Sequence, residues 1–145
     1  MNWRDTLAEA LQRSSPEHIC ALDVAALAIA RDLLPEASVQ FYEAHEQNTS
    51  PAQLAIVMDA LNDLDAAQAR TLLARVRDFI SPRIIVIAGA HCPLDRLAFL
   101  AIGYDTLSAD EAAHVALYQF DLNTYKQVPD WLNARYWAHP ERWKP

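Results

Sequence analysis

Three carboxylates in the sequence each close a stretch that predicts a β-strand. Asp23, Glu43 and Asp59 end short runs of apolar or alternating residues, a pattern typical of strands. In open α/β sheets ligands bind beyond the carboxyl ends of the strands. There these groups could accept hydrogen bonds from a ligand's amine or hydroxyls, or act as a general base if burial raises a pKa. Acids after strands also cap the helices that follow, so the sequence leaves both roles open.

Other polar residues fall at the same predicted edge of the sheet. Asn62 follows Asp59, and His91 and Cys92 follow the most apolar strand. An adjacent His and Cys could suggest thiol catalysis or a metal site. Adjacent side chains rarely point at one atom, however, and no further ligand has a suitable spacing. We therefore predict no metal site, and we keep Asn62 and His91 as residues that face a substrate or partner.

The segment 122–145 is rich in aromatic side chains. Trp131, Tyr136 and Trp137 could form a binding surface, because aromatic groups with a polar tip give large contact areas at a small entropic cost. The same segment could instead pack back over the sheet and cover an apolar face. We favour packing, and we keep these three residues as candidates for contact with a substrate or partner.

Composition and charge exclude several classes of protein. The 145 residues predict a single domain, 1–145. A net charge of −7, with scattered Lys and Arg, argues against a nucleic-acid partner. No apolar run approaches the about 20 residues of a membrane helix, and the first residues do not resemble a signal peptide. The two cysteines indicate no disulfide framework. We expect a cytoplasmic protein without a membrane partner.

Glycine is the most informative residue type because it is so rare. Gly89 and Gly103 are the only glycines in the chain. The glycine-rich loops that bind nucleotide phosphates need several glycines close together, since the backbone amides must approach the phosphate without an intervening Cβ. Both standard loops are therefore excluded.

Strands and helices alternate along the predicted chain. This order predicts an α/β domain with a mostly parallel sheet, helices on both faces and a C-terminal antiparallel hairpin. In the helix over 65–80, Asp65 and Gln68 are spaced as a capping box. The other helices are predicted over 2–13, 24–34 and 93–102, the last with Pro93 in its first position and Gly103 just past its end. The strands are predicted over 18–23, 38–43, 53–59, 83–89, 104–107 and 114–121, with the hairpin loop at 108–111.

Two stretches carry a resemblance to a known family. The first begins with Leu22-Asp23 at the end of a predicted strand and continues with Val24-Ala25-Ala26-Leu27-Ala28-Ile29. The second, Leu54–Leu64, has the pattern of a buried strand followed by an acidic turn. With the final hairpin, these stretches resemble a shortened class I S-adenosylmethionine-dependent methyltransferase, a Rossmann-like fold. The resemblance covers roughly residues 18–121. It implies S-adenosylmethionine as the cofactor and Asp23, Glu43 and Asp59 as its contacts, with Glu43 on the ribose hydroxyls.

The chain departs from this family in two places. Ala25, Leu27 and Ile29 stand where the family has the glycines of its cofactor loop. Only about ten residues separate Glu43 from the next strand, too few for the family's helix–strand–helix excursion. We expect the chain to have lost standard cofactor binding, so that no cofactor is bound.

Three functions follow as hypotheses. The first is a binding or regulatory module for a small molecule or a protein. The second is an atypical methyltransferase of a small molecule that does bind S-adenosylmethionine. The third is a homo-oligomeric interaction protein, for instance a homodimer, that pairs through the sheet edge at 38–43. The segment 122–145 also resembles a small uncharacterised bacterial protein family, which implies no activity.

Overall fold

The computed structural model describes residues 2–41 and 52–121. Four helices and six strands alternate through these ranges. The helices are α1 (Trp3–Ser14), α2 (Val24–Leu33), α3 (Ala66–Phe79) and α4 (Arg96–Ala101). The strands are β1 (His18–Ala21), β2 (Ser38–Phe41), β3 (Leu54–Val57), β4 (Arg83–Ala88), β5 (Asp105–Asp110) and β6 (Val115–Asp121).

The strands form one sheet in the order β2-β1-β3-β4-β6-β5. The first four are parallel, and β6 pairs antiparallel with both β4 and β5. The predicted fold class is therefore confirmed. Within the described ranges β2 forms the end of the sheet, as the short connection after the second strand predicts, and β3 pairs directly with β1.

The two faces of the sheet pack against different helices. Alternate residues of each strand point to opposite faces, so Ile19 packs with Leu7 of α1 and Ile29 of α2. Cys20 points to the other face and packs in the cluster that includes Val76 of α3. Helices on both faces were predicted from the alternating order and are confirmed.

Helix α3 begins as its sequence predicts. The amide of Gln68 donates to Asp65 Oδ1 at 2.8 Å, and the amide of Asp65 donates to Gln68 Oε1 at 3.0 Å. The fourth helix begins later than predicted, at Arg96 rather than at Pro93. The reason is that the Asp95 carboxylate accepts from the amide of Ala98 at 2.8 Å, and this cap decides where the helix begins.

The hairpin turn also lies beyond its predicted position. Ser108, Ala109 and Asp110 belong to β5, with a register shift between Thr106 and Ser108. Asp110 Oδ1 accepts from the amide of Ala113 at 3.2 Å, so the turn begins at Asp110 and ends at His114, which has a φ of 55°. The polar composition that predicted a loop is that of an edge strand, whose outer side faces water.

Candidate functional site

Both oxygens of the Asp23 carboxylate accept hydrogen bonds from the backbone. Oδ1 accepts from the amide of Ala26 at 2.7 Å and caps α2. Oδ2 accepts from three successive amides after β3, those of Met58 at 2.9 Å, Asp59 at 3.0 Å and Ala60 at 3.1 Å. This side chain therefore fastens the turn after β3 to the start of α2. The cap was foreseen as one of two roles, but the link to residues 58–60 was not.

Helix α2 begins immediately after Asp23. The amide of Leu27 donates to the Asp23 carbonyl at 3.0 Å, which closes the first turn. Ile29 is buried in the core, and Leu27 packs against the same cluster. Val24, by contrast, is 72% exposed. The positions at which the resemblance implies glycines are thus part of a regular helix, and two of them carry side chains that pack against the sheet.

Asp59 and Asn62 lie together at the carboxyl edge, the side of the sheet where β1, β3 and β4 end. The amide of Asn62 donates to the Asp59 carbonyl at 3.0 Å, and Asn62 Nδ2 donates to Asp59 Oδ1 at 3.4 Å. Asn62 Oδ1 is buried and has no hydrogen-bond partner among the described residues. Asp23, Asp59 and Asn62 are therefore neighbours, as the strand order predicts.

His91 and Cys92 follow β4 in a turn closed by a hydrogen bond from the Cys92 amide to the Gly89 carbonyl at 3.2 Å. His91 is exposed and Cys92 is half-buried. Burial raises the pKa of the Cys92 thiol, which disfavours the reactive thiolate. Across residues 2–41 and 52–121, no three His, Cys, Asp or Glu side chains are grouped so that they could hold a metal ion.

A groove of about 230 Å³ opens at the carboxyl end of β4, beside the turn of the β5–β6 hairpin. Sequence reasoning missed it because the hairpin residues are far from β4 in the chain. Its apolar wall contains Leu94 and Tyr118, and its rim is polar. We call it the hairpin groove; it is lined by Gly89, Leu94, Asp110, Glu111, His114 and Tyr118.

Gly89, one of the two glycines of the sequence, lines the hairpin groove. The other glycine, Gly103, has a φ of 94°, a conformation that L residues with side chains rarely adopt. Gly89 has no such backbone requirement, and a Cβ added there would meet no neighbouring heavy atom within 4 Å. Neither conformation nor close packing therefore requires a glycine at this position. Gly89, which follows the most apolar predicted strand, was the sequence signal nearest to the groove.

Four of the predicted site residues lie outside the described residues. Glu43 belongs to the segment 42–51, and Trp131, Tyr136 and Trp137 belong to the segment 122–145. The predicted contact of Glu43 with a ribose and the predicted packing of the aromatic segment therefore remain predictions.

No helix in the described part of the chain combines the length and the apolar character that crossing a membrane requires.

Solved structures with the same fold include methyltransferases, all of low sequence identity. The crystal structure of TnmH gives a TM-score of 0.60 at 13% identity, over 82% of this chain and 53% of its own. Human N-acetylserotonin methyltransferase in complex with SAM gives 0.58 at 15% identity, over 81% and 51%. The N-methyltransferase NodS from Bradyrhizobium japonicum WM9, in complex with S-adenosyl-L-homocysteine, gives 0.57 at 14% identity, over 81% and 84%.

The chain spans about half the length of the first two of these proteins. At such identities the likeness shows the fold, which is that of the class I S-adenosylmethionine-dependent methyltransferases. The resemblance stated from the residues is thereby confirmed at the level of the fold. No curated protein matches the sequence significantly. One family model matches residues 1–145, the whole chain, and this protein therefore belongs to the family of unknown function DUF6231.

Proposed function

We propose that this methyltransferase-like domain has lost the standard mode of S-adenosylmethionine binding and acts as a binding module for a small molecule. The observation that carries the proposal is that backbone amides already donate hydrogen bonds to both oxygens of the Asp23 carboxylate. The amides of Ala26, Met58, Asp59 and Ala60 all donate to it. A carboxylate offers about four lone-pair sites, so a cofactor amine or hydroxyl would have to displace a backbone amide from Asp23.

The start of α2 supports the same proposal. A cofactor that lies against a glycine-rich turn needs the backbone to approach it without Cβ atoms. Here the positions of those glycines, Ala25, Leu27 and Ile29, lie within α2 and carry side chains. Ile29, at the last glycine position, is needed in the core, where only 3% of it is exposed. Side chains therefore stand where the family's loop would leave room.

The hairpin groove is the place where such a module would bind its ligand. Its volume of about 230 Å³ is below the roughly 300–1,000 Å³ of drug-sized sites, which favours a small ligand. Asp110 contributes a fixed negative charge, since its two oxygens accept from the amides of Trp3 at 3.3 Å and Ala113 at 3.2 Å. With Glu111 beside it, this rim favours a neutral or cationic ligand with an apolar part that contacts Leu94 and Tyr118.

Calorimetric titration of S-adenosylhomocysteine into the full chain tests the loss of cofactor binding. We expect no heat of binding at millimolar ligand, a concentration that would detect an affinity of about 4 kcal/mol. NodS, solved with this ligand, is the positive control in the same buffer. Micromolar binding that Glu43→Ala weakens about tenfold, or about 1.4 kcal/mol, would contradict the proposal and favour the atypical methyltransferase.

Substitution of the two glycines tests whether Gly89 serves the groove. Gly89 has no unusual φ, and an added Cβ would have no close neighbour. Gly89→Ala should therefore stabilise the fold by about 0.4–1 kcal/mol, because alanine lowers the conformational entropy of the unfolded chain. The matched control, Gly103→Ala, forces alanine to a φ of 94° and should destabilise by about 1–2 kcal/mol. Urea denaturation measures both. If Gly89→Ala destabilises as much as Gly103→Ala, Gly89 is a structural glycine and the argument for the groove fails.

Three further expectations stay predictions. One is that residues 1–145 form a single domain, with 122–145 packed on it. Another is a homodimer through the sheet edge: in the described ranges β2 pairs only with β1, and Phe41 at its end is 43% exposed. The third is a regulatory role.

A further inference from the structure

A second, smaller cavity lies between α3 and the start of the β5–β6 hairpin, and it shares no residue with the hairpin groove. Its volume is about 70 Å³, enough for a few water molecules or one small ion. Helix α3 forms one wall, and the residues between α4 and β5, with β6, form the other. We call it the α3 cavity; it is lined by Arg70, Leu73, Arg77, Ile102, Tyr104 and Phe120.

The hydroxyl of Tyr104 is unsatisfied in this cavity. Only 4% of Tyr104 is exposed, and its hydroxyl has no hydrogen-bond partner among the described residues. The ring is held by Phe99, with centroids 5.5 Å apart, and by Phe120, at 5.4 Å, so it is not free to turn towards another acceptor. Buried hydroxyls are nearly always hydrogen-bonded, and an unmade bond is costly. Within the described part of the chain, this cavity is therefore the place from which a bound group could reach the hydroxyl.

Two arginines give the α3 cavity a positive wall. Arg70 and Arg77 are seven residues apart on α3 and so share one face of the helix. Burial raises the pKa of the Tyr104 phenol, and the positive charge of Arg77 acts in the opposite direction. Arg77 Nε donates to Asp78 Oδ1 at 2.9 Å.

We propose that the α3 cavity is a binding site for a phosphate group, either a free ion or the end of a small phosphomonoester. Its oxygens would accept from the Tyr104 hydroxyl and from the guanidinium group of Arg70, a donor that suits such an oxyanion well, while Arg77 lines the same cavity. Leu73, Ile102 and Phe120 give the site an apolar lining, beside which such bonds are stronger than in bulk water. The site does not depend on the function proposed for the hairpin groove.

The test is a titration of the full chain with inorganic phosphate at constant ionic strength, followed by protein NMR. We expect saturable binding with millimolar affinity. Arg70→Gln should weaken it about tenfold, as the loss of a charge-assisted hydrogen bond does. The matched control is Arg75→Gln, the same charge change on the same helix, at an exposed residue that lines a different surface. It should leave the affinity within about twofold.

Tyr104→Phe is the second variant, because it removes the hydroxyl without opening a cavity. Its affinity for phosphate should fall about tenfold, while the stability without phosphate should not fall, since an unpartnered group is removed. Equal weakening by Arg70→Gln and Arg75→Gln would overturn the proposal in favour of unspecific charge attraction. Absence of saturation at about 50 mM phosphate would mean that the cavity holds only water. Competition by a phosphomonoester would support the ester form, and its failure to compete would support the free ion.

Discussion

Asp23→Ala is expected to lower the free energy of unfolding by about 3 kcal/mol or more. Four backbone amides lose their acceptor at once, those of Ala26, Met58, Asp59 and Ala60. The lost helix cap alone is worth about 0.5–2 kcal/mol. Each amide that stays buried and unpaired adds about 1–3 kcal/mol, less where water can reach it. Urea denaturation followed by circular dichroism measures the change, provided that the slope with urea stays the same.

Asp23→Asn separates the two functions of this side chain. Asparagine caps helices about as well as aspartate, so the bond from the Ala26 amide survives. Its second atom is then an amide nitrogen, which cannot accept from the three amides after β3, and a loss of about 2 kcal/mol is expected. The control is Asp59→Asn, at the exposed neighbouring carboxylate, which should cost under about 0.5 kcal/mol. If Asp23→Asn costs equally little, the carboxylate is not fastened as described and remains available to a cofactor.

The features that could be predicted from the sequence are those determined by residues close together in the chain. Asp65 and Gln68 are three residues apart, and that spacing alone begins α3. The apolar run of β4 needs no distant partner to be recognised as a buried strand. The segment after β2 is too short for the family's helix–strand–helix excursion, and so the place of β2 at the end of the sheet, as seen in the described ranges, also followed from length alone.

What could not be predicted depends on residues that meet only in the fold. Asp23 was expected at the carboxyl edge, but its second set of partners is 35–37 positions away and is brought there by the pairing of β1 with β3. The hairpin groove likewise needs Gly89 and Asp110 to face each other across the end of β4. Tyr104 was predicted only as a strand residue, because nothing local indicates that its hydroxyl is left without a partner.

Pro93 and Ser108 illustrate a different kind of error, in which two local signals compete. Proline at a first helical position and aspartate at a cap are both good helix starts, and the structure selects Asp95. The polar residues 108–110 suit either a loop or an edge strand, and the pairing with Leu117, Ala116 and Val115 decides for the strand.

Helix α4 connects both proposed sites to the core through a single side chain. Phe99 is fully buried. Its ring stacks on that of Tyr118 in the hairpin groove, with 4.1 Å between the ring centroids and 15° between the planes. It also makes an edge-on contact with the ring of Tyr104 in the α3 cavity, with 5.5 Å between the centroids. The helix has only six residues, too few to be stable without such packing. Both tyrosines therefore contact the same ring of α4.

Phe99→Ala should lower the free energy of unfolding by about 3–5 kcal/mol, of which the aromatic contacts account for roughly 0.5–1.5 kcal/mol per pair. Leu97→Ala is the matched control on the same helix, because Leu97 is 75% exposed and its loss should cost under about 0.5 kcal/mol. Urea denaturation gives both values, and NMR of protein with labelled tyrosine rings reports the surroundings of Tyr104 and Tyr118. Their ring signals should shift in the folded Phe99→Ala variant and stay unchanged in Leu97→Ala. A Phe99→Ala variant with unchanged tyrosine signals and a loss under about 1 kcal/mol would show that Tyr104 and Tyr118 are held independently of α4, and then neither site would depend on this helix.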